Sequence, residues 1–451
     1  MNCFNELLWS RIFLPCVFIC GGLLTVRCGF LQFRRFGLAM RSTIGEAFKP
    51  SKQDNNSVSP LQAASTALAS TVGTGNIVGT AQAITMGGPG AVFWLWLTAL
   101  FGMIIKYAEI FLALKYRQHD EHGSYIGGPM YYIEALGKPF APLAAAYAMF
   151  ALLSALGMGN MSQTNSGISA VSLTVSQFIP LNNEQALIFR LLLGLFLAIL
   201  VYIILLGGAK RVGKAAEFLV PLMSVAFVLV SLIVLVCHAQ KLPEALKGIV
   251  LSAFSGKAFG GAAAGIGVKE AIHWGIRRSA FSNEAGLGSS AMAHAAAATD
   301  DFAKHSLWGI FEVFADTVVI CTATALVILS SEITIPWNST PGPGLFQTAL
   351  ATVFGQKLSA LFMSGAMLIF AFATVIGWSL YGAQCISYLL GSSFLPLYRI
   401  VYCLCTAVSG IMSTEFVWTI ADCANALMAI PNFIALFLLS GKLRKESAKF
   451  F

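Results

Sequence analysis

Ser70-Thr71-Val72-Gly73-Thr74-Gly75-Asn76-Ile77 lies in the middle of an otherwise apolar run at 61–86, and its reading decides the architecture. Each glycine inside a helix costs about 1 kcal/mol relative to alanine. Unwound backbone at membrane depth is tolerated only where it is buried in protein or lines a cavity. The glycines therefore have two readings, a tight helix crossing or a break in the helix. A second stretch of this kind, Phe259-Gly260-Gly261-Ala262-Ala263-Ala264-Gly265, interrupts the apolar run at 249–276. Apolar runs near 8–30, 61–86, 91–114, 141–175, 187–206, 216–237, 249–276, 305–330, 358–380, 395–411 and 416–440 give eleven candidate spans, and the two glycine stretches fall five spans apart. That spacing favours the broken-helix reading. It predicts an all-α polytopic membrane protein with an inverted five-plus-five repeat, each repeat opening on a broken helix, preceded by one extra N-terminal helix. The segments are then 1–60 (first helix and linker), 61–240 (first repeat) and 241–451 (second repeat and tail).

Composition supports a lipid environment. Hydrophobic residues make up 57% of the 451, and charged residues 11%, too few to cover a soluble surface. Mean hydropathy is +0.76. The net charge of +8 does not indicate nucleic-acid binding, because the basic residues lie in short loops and not on one face. Arg34, Arg35, Arg41, Lys115, Arg117, Lys210, Arg211, Lys214, Arg277, Arg278 and the tail Lys442, Arg444 and Lys445 all fall on one side of the eleven-span arrangement. The positive-inside rule makes that side cytoplasmic. The first run has Glu6 and Arg11 before it and the basic cluster after it, the reverse of a signal peptide. The expectation is a retained span, an N-terminus outside, a cytoplasmic C-terminus and residence in the cell (inner) membrane. Cys16, Cys20, Cys237, Cys321 and Cys423 lie in apolar runs and read as small packing residues.

The chemistry is that of binding. At a break at Gly73–Asn76, the restarting half-helix offers free N–H groups and a positive dipole end to a carboxylate, and the stopping half offers carbonyls to a cation. Asn76 adds a neutral oxygen. The fourth span carries Gly157-Met158-Gly159-Asn160-Met161-Ser162-Gln163-Thr164-Asn165-Ser166, a polar stretch costly to expose to lipid. Asn160 and Gln163 share a face, lining a cavity or bonding to other helices. Thr374 and Trp378 share a face of the ninth span, where packing is the alternative to a pocket wall. Lys106 and Glu109, three apart, suit an intrahelical pair. Glu312 and Asp316 are candidates for ion coupling or for helix ties. Glu284 and His294 are expected in a cytoplasmic stretch. No hydrolytic triad, Walker loop or zinc pattern occurs, which speaks against an enzyme or an ATP-driven pump.

The sequence resembles the alanine or glycine:cation symporter family, also described as sodium:alanine symporters or D-alanine/glycine permeases. The resemblance is carried by Val72-Gly73-Thr74-Gly75-Asn76-Ile77, Gly87-Gly88-Pro89-Gly90-Ala91, Phe93-Trp94-Leu95-Trp96 and Lys106-Tyr107-Ala108-Glu109. It continues in Gly127-Gly128-Pro129-Met130-Tyr131-Tyr132, Phe281-Ser282-Asn283-Glu284-Ala285-Gly286-Leu287-Gly288 and Gly377-Trp378-Ser379-Leu380-Tyr381-Gly382, and so extends over nearly the whole chain. It implies the leucine-transporter type of fold, no enzymatic activity and no cofactor beyond a coupling sodium ion. It also implies a substrate pocket of Thr74, Gly75 and Asn76, Gln163, Phe259 with Gly260, Thr374 and Trp378. The sequence departs from the family at Ala383, where an acidic residue is common, and after Ala264, where the seventh span is slightly short.

The expected function is sodium-coupled symport of a small neutral amino acid, alanine or glycine with D-alanine included, by alternating access. Sodium is expected at the carbonyls of Ala69 and Val72 and the hydroxyl of Thr374. The partners are then substrate, sodium and the bilayer. One rival is a proton-coupled permease using Glu109, Glu312 or Asp316, and another is a channel or sensor. A channel needs a continuous polar pore, whereas the polar residues cluster near mid-depth.

Overall fold

The computed structural model describes residues 5–47, 58–121, 123–255 and 266–449. Among the described residues the fold is all-α apart from a two-residue hairpin pairing of Gln118–His119 with Tyr125–Ile126 and a single bridge between Val58 and Ala297. Among the described residues, nine helical stretches are long and apolar enough to cross a membrane: Leu7–Arg27, Gly90–Lys115, Lys138–Phe178, Asn183–Leu205, Gly208–Cys237, Phe302–Ser330, Gly344–Leu390, Ser392–Ser409 and Thr414–Ser447. The described helices of the second and seventh expected spans complete the set. The second comprises Pro60–Thr71, Gly75–Gly79 and Thr80–Gly87. The seventh comprises Leu242–Ser255 and Val268–Asn283, on either side of residues 256–265. Phe259 and Gly260 lie outside the described residues.

Local chemistry explains several boundaries. Ser59 caps the second span: its hydroxyl accepts from the Gln62 N–H while the Gln62 side chain accepts from the Ser59 N–H, a reciprocal capping box, with Pro60 at the first helical position. Gly88, at φ +71°, ends the span and turns the chain into the third. The stretch Gly344–Leu390 contains one non-helical residue, Gly355 at φ +74°, so a short helix over 344–354 precedes the ninth span. The sequence reading began that span at 358 and missed the short helix. It also ended the seventh span at 276, but the helix runs to Asn283. Arg277 and Arg278 are therefore helical and within the bundle, not in a loop.

Val268–Asn283 packs along the third span and along Thr80–Gly87, while the ninth span packs against the fourth and against Pro60–Thr71. The bundle centre thus holds the second span and the Val268–Asn283 helix of the seventh. Large apolar side chains point outward from the fifth and sixth spans, including Leu192, Phe196, Ile199, Leu222, Val225 and Leu229. An apolar belt of this size suits lipid and not water.

Candidate functional site

The second span does unwind where the glycines predict. The helix stops at Thr71, Val72 is extended at φ −79° and ψ 98°, and helix resumes at Gly75. The resumed turn, Gly75–Gly79, is a wide π-type turn, as are Gly157–Ser162 in the fourth span and Phe314–Cys321 in the eighth. Such turns recur at functional sites because they free backbone groups and re-aim side chains.

The free groups at the break are met by side chains from the fourth and ninth spans and by Asn76 of the second span itself. Thr74 donates to the Gln163 Oε1 twice, from its N–H at 3.0 Å and its hydroxyl at 2.8 Å. The Gly73 N–H donates to the Asn76 Oδ1 at 2.9 Å. The Thr374 hydroxyl donates to the Ala69 carbonyl at 3.0 Å. A Cβ at Gly73 would lie 2.6 Å from the Thr374 Oγ1 and 2.9 Å from the Gln163 Oε1, so only glycine lets the fourth and ninth spans close on this turn. Of the residues predicted for the site, Thr74, Gly75, Asn76, Gln163, Thr374, Ala69 and Val72 meet around one buried point. Trp378 lies one helical turn further along the ninth span from Thr374.

Trp378 is fully buried, and its Nε1–H donates to the Glu284 Oε1 at 2.8 Å. A Cβ at Gly159 would lie 2.2 Å from the indole, so the glycine of the fourth span makes room for the ring. Asn160 has a different role. Its Nδ2 donates to the Tyr402 carbonyl at 2.7 Å and its Oδ1 accepts from Thr406 at 2.9 Å. Of its two readings, the tie between helices is the one the structure shows.

The buried charges pair differently from the sequence expectation. The Lys106 Nζ lies 3.1 Å from the Glu312 Oε2, and it donates to the Asn283 carbonyl at 2.8 Å and to the Thr71 hydroxyl at 3.2 Å. Glu109, one turn away, instead accepts from the Gly286 N–H at 3.0 Å and the Asn432 Nδ2 at 2.6 Å. The i,i+3 rule describes helix surfaces, whereas here both side chains are buried between neighbouring elements that offer better partners. Glu312 also meets the His294 Nε2 at 2.6 Å, and the His294 Nδ1 lies 2.9 Å from the His305 Nε2. Glu284 and His294, expected in a cytoplasmic stretch, are fully enclosed by protein.

Asp316 reaches the break itself. Its Oδ1 accepts from the Asn76 Nδ2 at 2.6 Å, and its Oδ2 accepts from Ser282 at 2.7 Å and Thr317 at 2.8 Å. In the sequence Asp316 is a candidate for ion coupling or for a helix tie; the structure sets it beside the break of the second span, which the eighth span passes.

Phe281 is a site residue that sequence reasoning placed in a motif without a role. Its ring lies 3.2 Å from where a Gly75 Cβ would be, and it stacks on Trp418 at 4.9 Å. Arg277 and Arg278 both pair with Asp422 of the eleventh span, which ties that span to the seventh one turn from Phe281.

The sodium:alanine symporter family model matches residues 1–451. The chain is 39% identical to the sodium/alanine symporter AgcS of Methanococcus maripaludis, over 100% of this chain and 96% of that one. It is 38% identical to an uncharacterized transporter of Haemophilus influenzae, over 100% of this chain and 95% of that one. Among solved structures, it resembles MhsT in complex with L-phenylalanine with a TM-score of 0.61 at 14% identity, covering 87% of this chain and 90% of that one.

Proposed function

The chain belongs to the sodium:alanine symporter family, and on that premise we propose that it carries alanine, with glycine and D-alanine as further substrates, into the cell with sodium by alternating access. The observation that supports this reading most is the buried unwound turn Val72–Gly73–Thr74, closed over by Gln163 and Thr374. The substrate carboxylate binds the N–H groups of the resumed helix near Thr74, Gly75 and Asn76, where the dipole favours an anion. Gln163 is positioned to exchange its bonds with Thr74 for bonds to substrate. Phe259 and Gly260 are the seventh-span residues of the proposed pocket.

Sodium binds at the carbonyls of Ala69 and Val72 with the Thr374 hydroxyl, which already reaches the first of them. Transport proceeds by rocking of 61–240 against 241–451 around this point, with the N-terminus outside. The basic bias that sets this orientation survives the loss of Arg277 and Arg278 to the bundle. Labelled alanine uptake into proteoliposomes under separately imposed sodium and proton gradients tests the whole reading. Sodium alone is expected to drive accumulation, and accumulation driven by protons in sodium-free buffer refutes it. Thr374→Val keeps the shape and removes an oxygen. It is expected to lower apparent sodium affinity at least tenfold, about 1.4 kcal/mol, at unchanged expression. Unchanged sodium dependence would remove Thr374 from the site.

Trp378 limits substrate size. One methylene against such a wall is worth about 1–3 kcal/mol of discrimination, so Trp378→Ala is expected to admit valine and leucine in competition uptake. Trp378→Phe keeps the wall but removes the donor to Glu284, and is expected to keep the selectivity. A folded Trp378→Ala protein that still rejects valine shows the indole to be packing alone.

A further inference from the structure

We infer that Arg277 and Arg278 of the seventh span, with Trp418 of the eleventh, form a site for a compact monovalent anion, a chloride ion or the carboxylate of an amino acid. The site is separate from the break at Gly73–Asn76, and it goes beyond the symport reading without depending on it.

The charges at this place do not balance. Arg277 and Arg278 both pair with the same oxygen of one carboxylate, the Asp422 Oδ2, which lies 3.3 Å from the Arg278 Nη2. Among the described residues, no second carboxylate pairs with either arginine. Arginine keeps its charge even when buried, so the excess is fixed. Arg278 is only 3% exposed, and a charge at that depth demands a counter-charge.

The hydrogen bonds point the same way. Among the described residues, the Arg278 Nε and Nη1, the Arg277 Nε and the Trp418 Nε1 are buried donors without an acceptor. Buried polar groups are nearly always bonded, and charged donors are the most costly to leave unmet. The neighbouring rings do not meet them. The Arg278 Cζ lies 5.4 Å from the Trp274 ring, 5.4 Å from Phe281 and 5.1 Å from Trp418. Ring faces attract a cation but accept an N–H only weakly. They do wall the site with apolar surface, where attraction between opposite charges is strong.

Two helix faces assemble these groups. Trp418, Asp422 and Asn425 recur at i, i+4 and i+7 of Thr414–Ser447. Arg277 and Arg278 belong to Val268–Asn283, whose next turn carries Phe281, the ring that covers Gly75. The site therefore lies one ring away from the break, at the level where the first span begins, since Trp9 donates to the Asp422 carbonyl. A guanidinium and an indole N–H suit a halide or a carboxylate oxygen, and one excess positive charge suits a single negative one. The eleventh-span face also holds two acceptors without a donor, the Asp422 Oδ1 and the Asn425 Oδ1. The ammonium of an amino acid would use them, whereas chloride would use the donors alone. The donors are enclosed while Asp422 holds both arginines, so an anion enters when the seventh and eleventh spans part.

Binding of chloride-36 to purified full-length protein in sodium methanesulfonate tests the inference. The wild type is expected to hold one chloride per chain, and Arg278→Gln to lose it. Trp418→Phe keeps the ring and removes the N–H, and is expected to weaken binding roughly tenfold, the scale of one lost charge-assisted bond. The two sources separate in Gly75→Val, a change aimed at the inner site. Displacement of chloride by alanine and not by alaninamide assigns the site to an amino-acid carboxylate, and chloride retained in excess alanine assigns it to the inorganic ion. A wild type that holds no chloride overturns the site, and so does equal chloride binding by Arg278→Gln. If Arg278→Gln does not fold, Trp418→Phe decides, and unchanged chloride affinity there overturns the site. Sodium-driven alanine uptake is measured separately, and its failure leaves these outcomes untouched.

Discussion

Gly75→Val is expected to abolish alanine binding in a protein that still folds and inserts. A Cβ at position 75 would stand 3.2 and 3.3 Å from two ring carbons of Phe281. That contact is tight for alanine and untenable for the two methyl groups of valine. Overpacking of this kind costs about 1–3 kcal/mol, which a membrane-embedded bundle absorbs by moving the ring. Such a movement pushes Phe281 and the new methyl groups over the N–H groups at the break, where the carboxylate would approach. Gly75→Ala is expected to weaken binding about tenfold, one step on the same scale. Alanine-dependent thermal stabilisation of the purified variants reads both effects. Alaninamide, which lacks the carboxylate, is expected to stabilise the wild type far less than alanine does. Wild-type affinity in Gly75→Val, or equal response to the two ligands, would move the carboxylate away from this turn.

Much of this site is legible in the sequence because its signals are local. Glycines at 73 and 75 within an apolar run mark the unwound turn, and depth in the bilayer gives that short motif its meaning. Gln163 and Thr374 stand out as polar groups at mid-span, and each then meets the break. What the sequence does not show is pairing at long range. The partner of Lys106 is 206 positions away at Glu312 and not three away at Glu109, and the approach of Asp316 to Asn76 depends on how the eighth span crosses the second. Arg277 and Arg278 resemble loop charges until their common partner Asp422 is seen. Phe281 carries no polarity or periodicity that separates it from other aromatic residues of the core. Its role follows from a glycine on another span.

Lys106→Met is expected to be the most destabilising single change among the buried polar groups. The ammonium is fully enclosed and ion-paired to Glu312, and it donates to the Asn283 carbonyl and the Thr71 hydroxyl. Removing one member of a buried pair strands the other, at about 3–5 kcal/mol. The methionine fills similar space, so the loss is one of charge and hydrogen bonds and not of a cavity. Removing both charges, in Lys106→Met with Glu312→Gln, is expected to recover a large part of that stability, read as the unfolding midpoint in detergent. Transport is expected to stay low in the double variant. Thr71 ends the first half of the second span and Asn283 ends the seventh, and Lys106 bonds to both. A double-mutant cycle separates the observed pairing from the one the spacing suggests: Lys106 is expected to couple strongly to Glu312 and weakly to Glu109, which the Gly286 N–H and Asn432 already satisfy. A larger coupling to Glu109 would restore the intrahelical pair. Near-normal transport by a folded Lys106→Met protein would show that the second and seventh spans move correctly without this tie.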